Sequence, residues 1–272
     1  MATAPPTPRS GPGRTARIAI VGVIAIVVAA LVAVFLVWFV FFSSEAPEAP
    51  TIEGAAAVLQ ASPDPAAGAG ADAAGAQAAG STEQATPNGD TDGTWVVDAS
   101  VGDIVDDGSY VGFRVAEVLE RIGDTEAIGR TPAVSGSLAL SGTTLERASI
   151  EADLTRIASD QSRRDPAIQR ALETGAFPMA TFESSKSVEL DAMPTEDQAV
   201  DVSIPGVLTI HGVSQDVVAE VQAQRIGDVV VVVGTLPVDF TSFGITMPAA
   251  PIVVSVEGSG DLEWQLFFRR EA

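Results

Sequence analysis

The stretch that decides the fold is PGVLTIHGVSQDVVAEV, Pro205 to Val221. Apolar residues alternate with polar ones through it, a period typical of β-strands. His211 and Gly212 interrupt the alternation, and Gly212 supplies the backbone freedom that a tight turn requires. The pattern predicts a strand that ends at Ile210, a turn at His211, and a second strand that begins near Val217.

Similar short alternating runs, separated by Gly, Asp, Pro and Asn, fill the chain from Trp95 onward. They predict eight or nine strands within one globular domain, residues 94–272. The extended segments are expected near residues 95–98, 109–115, 126–140, 144–155, 179–190, 200–210, 216–225, 228–240 and 251–263.

Only SRRDPAIQRALETGAF, residues 162–177, has the spacing of a helix, with Ile168 and Leu172 on one face. Asp165 is the expected N-cap and Gly175 the expected stop. One helix among so many strands excludes a parallel βαβ architecture. Short turns between consecutive strands leave an antiparallel barrel or a sandwich.

An uncharged apolar run extends from Ile18 to Phe42, longer than the roughly 20 residues that a membrane-spanning helix needs. Arginines precede it and glutamates follow it, so the positive-inside rule predicts a cytoplasmic tail at residues 1–17 and an extracytoplasmic chain beyond the run. The alternative is a cleaved signal peptide, but its apolar region is normally about 7–15 residues. The sequence therefore favours a single transmembrane helix, residues 18–42, in the cell membrane.

Residues 43–93 are rich in Ala, Gly, Pro and acidic residues, as in SPDPAAGAGADAAGAQAAG. Such a segment has little apolar surface to bury, so it is expected to be a disordered linker. The alanine clusters could form a transient helix, which the interspersed Gly and Pro oppose. A random coil of this length has a root-mean-square reach of roughly 40 Å.

Charge and cysteine content exclude several function classes. The formal net charge is -21 with a single lysine, Lys186, which argues against nucleic acid as a partner. No cysteine is present, so a disulfide, a thiolate nucleophile and a cysteine metal site are all excluded.

Two features could suggest chemistry, and both have simpler interpretations. His211 is the only histidine, and the sequence places no evident nucleophile or orienting carboxylate with it, so a turn residue is the better interpretation. The aspartates of DASVGDIVDDGS lack the ligand spacing of an EF-hand and are expected to form a solvated loop. They are Asp98, Asp103, Asp106 and Asp107. We therefore predict no catalytic residue, no metal site and no cofactor.

The alternation within single strands predicts which side chains face the interior. Val111, Phe113 and Val115 share one parity, whereas the small or polar residues between them share the other. By the same reasoning Phe182 faces inward and Glu183 outward. A small eight-stranded barrel can have a solid core or hold one ligand, and parity alone leaves both possibilities open.

The order of several motifs is similar to that of the YceI-like family across residues 94–266. These motifs are WVVDAS (95–100), SYVGFRVAEV (109–118), VSGSLALSG (134–142), RRDPAIQRALETGAFPMATFES (163–184), PGVLTIHGVSQDVVAEV (205–221) and VDFTSFGI (238–245). The resemblance implies an all-β fold, an extended antiparallel lipocalin-like barrel of about eight strands with one short helix. It also implies an apolar interior that holds a polyisoprenoid chain, in an exported protein.

The sequence departs from that family at two places. Gly108-Ser109-Tyr110 stands where the family often has His-Ser, and Phe240 to Gly244 replaces an Arg-x-Asp-Phe-Gly pattern. The loss of two charges makes a more apolar interior the expectation. The family also has Arg-Asp before its helix. Arg163, Arg164 and Asp165 could therefore join the helix to the barrel or border a ligand mouth, instead of only solvating and capping the helix.

The sequence thus predicts a membrane-anchored, extracytoplasmic protein that binds a polyisoprenoid or other long-chain lipid without catalysing a reaction. The alternative is a ligand-free structural or protein-interaction domain on a membrane stalk. The candidate ligand contacts are Val111, Phe113, Val115, Phe182, Phe240, Phe243 and Ile245.

Overall fold

The computed structural model describes residues 47–61, 91–101, 107–120, 123–248 and 253–271. Within these residues lie thirteen strands and two α-helices. The apolar run 18–42, the tail before it and most of the expected linker lie outside the described residues. Among the helices that are described, none has the length and apolar character needed to cross a membrane.

The helices are α1, Ile52–Ala61, and α2, Asp165–Ala171. The strands are β1 (Gly93–Val97), β2 (Tyr110–Leu119), β3 (Gly123–Thr131), β4 (Val134–Ser141), β5 (Thr144–Asp153), β6 (Ala158–Ser159), β7 (Met179–Ser184), β8 (Val188–Glu189), β9 (Val200–Ile210), β10 (Val213–Ile226), β11 (Val229–Asp239), β12 (Val253–Val256) and β13 (Ser259–Arg270). Two short 3₁₀ helices span Leu154–Arg156 and Phe240–Phe243.

Eight of the strands form a closed ring in the order β1-β4-β5-β7-β9-β10-β11-β13. Each pairs with its neighbour antiparallel, and β1 closes the ring by pairing with β13, with Trp95 opposite Arg270. Strand β2 pairs with the other part of β13 and extends the sheet through β3 and β12. The prediction of an antiparallel barrel of about eight strands is confirmed, and the sandwich alternative is wrong.

Three predicted strands are each two strands in the structure. The expected segment 126–140 breaks at Pro132 into β3 and β4, because proline has no N–H to donate to a sheet. Segment 179–190 divides into β7 and β8, and β12 and β13 replace segment 251–263.

Helix α2 lies within the predicted range, but its predicted cap is wrong. Arg164 is the N-cap, without a side-chain capping bond, and Asp165 is the first helical residue. The Asp165 carboxylate instead accepts hydrogen bonds from the amide and hydroxyl of Ser159, at 2.8 and 2.7 Å. It therefore fixes the loop that leads into the helix.

The prediction of a disordered linker and a single helix is wrong for residues 52–61, which form α1. Within α1 there is no proline, and the Thr51 hydroxyl accepts a hydrogen bond from the Gly54 amide at 3.1 Å. Ile52 and Ala55 are buried against the outside of the barrel. The apolar residues that receive them are Val101, Val229, Val231, Val233 and Phe267. Tertiary burial therefore stabilises a helix that, at 10 residues, is too short to be stable in isolation.

The residues before α1 also contact the barrel, and we refer to residues 47–61 as the strap. Arg114 donates a hydrogen bond to the Pro47 carbonyl at 2.6 Å, and Arg130 donates one to the Glu48 carbonyl at 3.1 Å. Both arginines also donate to the Glu263 carboxylate, whose side chain is 1% exposed. The strap covers these outward-facing side chains, so polar groups are buried on the outer face of the barrel wall.

Candidate functional site

The barrel interior is lined by alternate residues of each strand. On β2, Val111 lies opposite Trp264 of β13, and Phe113 lies opposite Leu262. Val111 and Trp264 pack against one large interior cluster, and Phe113 and Leu262 against a second. The predicted inward parity of Val111, Phe113 and Val115 is confirmed.

An internal cavity of about 100 Å³ lies within this apolar interior. Thr181 carries the only hydroxyl among the residues that line it. The lining residues are Val111, Leu138, Ala148, Ile150, Ala152, Ala180, Thr181, Phe182, Ile204, Leu208, Ala219, Val221, Val232, Leu236, Leu262, Trp264, Leu266 and Phe268. Such a lining offers almost no hydrogen-bond partner for water or for a charged head group.

The cavity is small for a long apolar chain. An engineered protein cavity of about 150 Å³ accommodates one benzene molecule, so the volume here is smaller than that of a cavity known to hold one aromatic ring. A chain of several isoprene units therefore fits only when the lining side chains move apart.

Three of the predicted contacts lie beside the cavity and do not line it. Phe240, Phe243 and Ile245, which we call the plug, are each at most 5% exposed. They pack in the second interior cluster with Phe113 and Val115. This cluster shares four residues with the cavity lining, namely Ala180, Leu208, Leu236 and Leu262. The plug therefore bounds the cavity on one side.

Of the seven predicted ligand contacts, Val111 and Phe182 line the cavity directly. The other five belong to the adjoining cluster. Strands β11 and β13 contribute six lining residues that were not among the predicted contacts, namely Val232, Leu236, Leu262, Trp264, Leu266 and Phe268. The alternation in DLEWQLF, residues 261–267, could have found three of them, because Leu262, Trp264 and Leu266 share one parity.

A buried ion pair joins α2 to the barrel. Arg164 donates a hydrogen bond to the carboxylate of Glu117, which is 4% exposed and continues the inward-facing row of β2. Arg164 also contacts Asp160 at 3.1 Å. Burial raises the pKa of Glu117 in spite of the Arg164 charge. Of the two alternatives for Arg164, the structure therefore supports the helix-to-barrel contact.

The turn predicted at His211 is confirmed. His211 and Gly212 both have positive φ angles, 54° and 72°, as a two-residue type I′ turn between antiparallel strands requires. The imidazole is only 13% exposed. It packs on the Phe177 ring with 4.5 Å between centroids, and its Nδ1 donates to the Phe243 carbonyl at 3.1 Å, which places the proton on Nδ1. The side chain thus contacts the plug.

The aspartate-rich loop is described only in part, since Asp103 and Asp106 lie outside the described residues. Asp98 accepts hydrogen bonds from Ser100 and from Arg269 of β13. Burial acts to raise the pKa of Asp98, but these contacts outweigh it and hold that pKa below its usual value. Among the residues that the structure describes, no group of three or more carboxylates and histidines is arranged to hold a metal ion.

The closed ring of eight antiparallel strands around an apolar cavity defines the protein as an all-β antiparallel barrel. The model of the YceI-like domain family matches residues 102–268. The chain belongs to the YceI-like family. No curated protein matches the chain.

Similar solved structures include a polyisoprenoid binding domain from Saccharophagus degradans, with 14% identity and a TM-score of 0.49 over 65% of this chain and 98% of that one. BcnA of Burkholderia cenocepacia has 18% identity and a TM-score of 0.47, over 63% of this chain and 98% of that one. The YCEI protein of Campylobacter jejuni has 14% identity and a TM-score of 0.44, over 53% and 85% of the two chains.

Proposed function

We propose that the barrel binds a polyisoprenoid or similar long-chain lipid without covalent attachment and without turnover. The observation that carries this proposal is the internal cavity, in whose lining Thr181 carries the only hydroxyl. Membership of the YceI-like family supports it. Burial of apolar surface contributes roughly 25 cal/mol per Å², reduced by the ordering costs of association. The length of the lipid's hydrocarbon chain should therefore determine affinity more than its head group does.

Ligand entry in this proposal opens the interior by displacing the plug. Phe240 and Phe243 lie on a 3₁₀ helix, and Ile245 follows it, so these side chains are outside the strand ladders. Moving them leaves the hydrogen bonds between strands in place. The cavity residues that lie within strands, such as Trp264, are fixed by strand pairing on both edges.

One observation favours a second candidate function, a ligand-free structural or protein-interaction domain. The cavity is smaller than one that holds benzene, and the interior is otherwise filled by side chains. Under this alternative the barrel stays closed and its outer surface carries the function.

Site-specific photolabelling separates the two functions. The full chain is reconstituted in nanodiscs, irradiated with a diazirine-bearing farnesol and digested for peptide mass spectrometry. Lipid binding predicts labels on the peptides that carry Phe182 and Trp264, removed by excess unlabelled farnesol. A barrel that stays unlabelled in its interior, with an intact thermal transition, would support the ligand-free function instead.

A matched pair of substitutions tests the role of the interior face. Phe113→Asp places a charge against the plug and should remove the interior labels. Val254→Asp, at a position 67% exposed on β12, introduces the same charge at the surface and should leave them unchanged. Equal labelling of both variants would mean that the interior cluster around Phe113 has no part in lipid binding.

We further propose that residues 18–42 anchor the protein in the cell membrane, with the N-terminus cytoplasmic and the barrel extracytoplasmic. The support is the length of the apolar run and the arginines before it. Because the chain has no cysteine, single cysteines report topology directly. An impermeant maleimide applied to cells with an intact cytoplasmic membrane should label Gly175→Cys, at an exposed position, but label Ala4→Cys only after lysis. The reverse pattern would overturn the proposed orientation.

A further inference from the structure

Two aromatic rings in the cavity wall occupy space that a glycine leaves free on the neighbouring strand. A β-carbon added to Gly206 would lie 2.4 Å from the Phe182 ring, and one added to Gly234 would lie 2.5 Å from the Trp264 indole. Gly234 is the direct partner of Trp264, and Gly206 pairs two residues beyond Phe182. Both rings therefore lie over a neighbouring strand.

The same relationship occurs a third time, where Phe113 covers its partner Gly129 at 2.6 Å from the added β-carbon. None of these three glycines has a positive φ angle, so their backbone conformation does not require glycine. At Gly129 only the ring blocks the position, whereas at Gly206 and Gly234 a neighbouring carbonyl oxygen also lies 2.6 Å away. The close approach of a ring, and at two of the positions also of the backbone, explains why these residues are glycines.

The positions of the two cavity rings determine whether the cavity exists. Strands β7 and β13, which carry Phe182 and Trp264, are four steps apart in the ring of eight and therefore lie on opposite walls. The cavity of about 100 Å³ is smaller than one that accommodates benzene, so a single ring turned inward would fill it.

We propose that Phe182 and Trp264, held against the wall over Gly206 and Gly234, set the length of the apolar chain that the barrel accepts. This inference rests on the proposed lipid-binding function. The rings limit the free cross-section from opposite sides, so a smaller side chain at either position leaves room for a longer or folded chain, and a ring forced inward leaves room for none.

The test measures how well geraniol, farnesol and geranylgeraniol compete with the farnesol photoprobe for the full chain in nanodiscs. Trp264→Leu and Phe182→Leu should each improve competition by geranylgeraniol relative to farnesol by about fivefold, as expected for added apolar contact. Gly234→Ala should weaken competition by all three alcohols by about tenfold.

Two controls separate an effect on the cavity from an effect on folding. Phe267→Leu removes a fully buried ring from the outward face of β13 and should leave the relative affinities of the three alcohols unchanged. Gly175→Ala adds a methyl group where nothing lies within 4 Å. Thermal transitions of all variants are recorded, and Gly234→Ala is compared only if its transition remains cooperative.

The outcomes distinguish this inference from the proposed function. If none of the alcohols competes for interior labelling of the parent chain, the lipid-binding function fails. If the parent binds but Trp264→Leu and Phe182→Leu keep the parental preference among the three alcohols, the chain-length inference is overturned and lipid binding stands.

Discussion

Arg164 at the start of helix α2 donates a hydrogen bond to the buried carboxylate of Glu117 on strand β2, and burial keeps the pKa of that carboxyl above its usual value. Arg164→Met removes the counter-charge and leaves a buried carboxylate without it. Breaking a buried pair from one side typically costs about 3 kcal/mol. We expect a loss of that size in the free energy of unfolding at pH 7, measured by denaturant titration.

The loss should depend on pH in a defined direction. The pKa of Glu117 is raised on folding, so the folded state loses stability as the pH rises through that raised pKa. Arg164→Met should raise the pKa of Glu117 further and enlarge this loss. The difference from the parent should therefore be largest at pH 7 and shrink as the pH falls toward 4.5, the ordinary value for a glutamate. Arg163→Met, at the preceding and exposed residue, serves as the control and should show no such dependence.

The strap should detach when its buried apolar residue is replaced by a charge. Ile52 is 4% exposed, and burial of one such side chain contributes about 2 kcal/mol. Ile52→Asp should lower the free energy of unfolding by about that amount and make residues 52–61 sensitive to limited proteolysis. Ala57→Asp, exposed on the same helix, should change neither measurement. Equal cleavage in both variants would mean that Ile52 does not hold the strap.

The strap shows why part of the fold could not be predicted from local sequence. Residues 52–61 resemble the rest of an Ala-rich linker, and their helix depends on a barrel surface far along the chain. The sequence feature that indicates a covering segment is the run Val229–Val233. All five residues are apolar, whereas a strand with one face in water would alternate apolar and polar residues. Val230 and Val232 face the interior, and the other three valines require a cover on the outside.

Side chains that face the barrel interior were easier to predict than contacts on its outer surface, because the alternation along a strand specifies which side chains point inward. The parity of β2 placed Val111, Phe113 and Val115 correctly. The same parity placed Arg114 outward, but it could not show that the strap and Glu263 bury it. Phe240, Phe243 and Ile245 were selected by resemblance, and their packing as a plug depends on a 3₁₀ helix that no periodicity indicates.

His211 can be replaced without disturbing its turn. Asn tolerates the left-handed conformation at φ 54°, so His211→Asn should keep the turn and lose only the ring contact and the Phe243 hydrogen bond. We expect a loss of about 1 kcal/mol in the free energy of unfolding and little change in farnesol labelling. Gly212→Ala combines φ 72° with a clash of 2.7 Å against Phe177 and should destabilise more. If His211→Asn abolished labelling, the histidine would have a direct role in binding.

The plug should loosen when its 3₁₀ helix loses its cap. The Asp239 carboxylate accepts hydrogen bonds from the amide and hydroxyl of Thr241, at 2.9 and 2.5 Å, and these lower the pKa of Asp239. Asp239→Ala should therefore speed hydrogen exchange at the Gly244 and Ile245 amides, which bond back to this helix. In the parent, the cap is complete above the ordinary aspartate pKa of 3.8 and is lost as the pH falls through the lowered pKa of Asp239. Acid should therefore speed exchange at the same two amides, after correction for the intrinsic pH dependence of amide exchange.

A matched cap elsewhere in the chain provides the control for this prediction. Asp153 accepts from the amide and hydroxyl of Thr155, at 2.9 and 2.6 Å, and caps the other 3₁₀ helix in the same way. Asp153→Ala should leave exchange at Gly244 and Ile245 unchanged, because its helix is separate from the plug. If only Asp239→Ala also raises the rate of farnesol labelling, the plug controls access to the cavity. Faster exchange without faster labelling would mean that the lipid enters by another route.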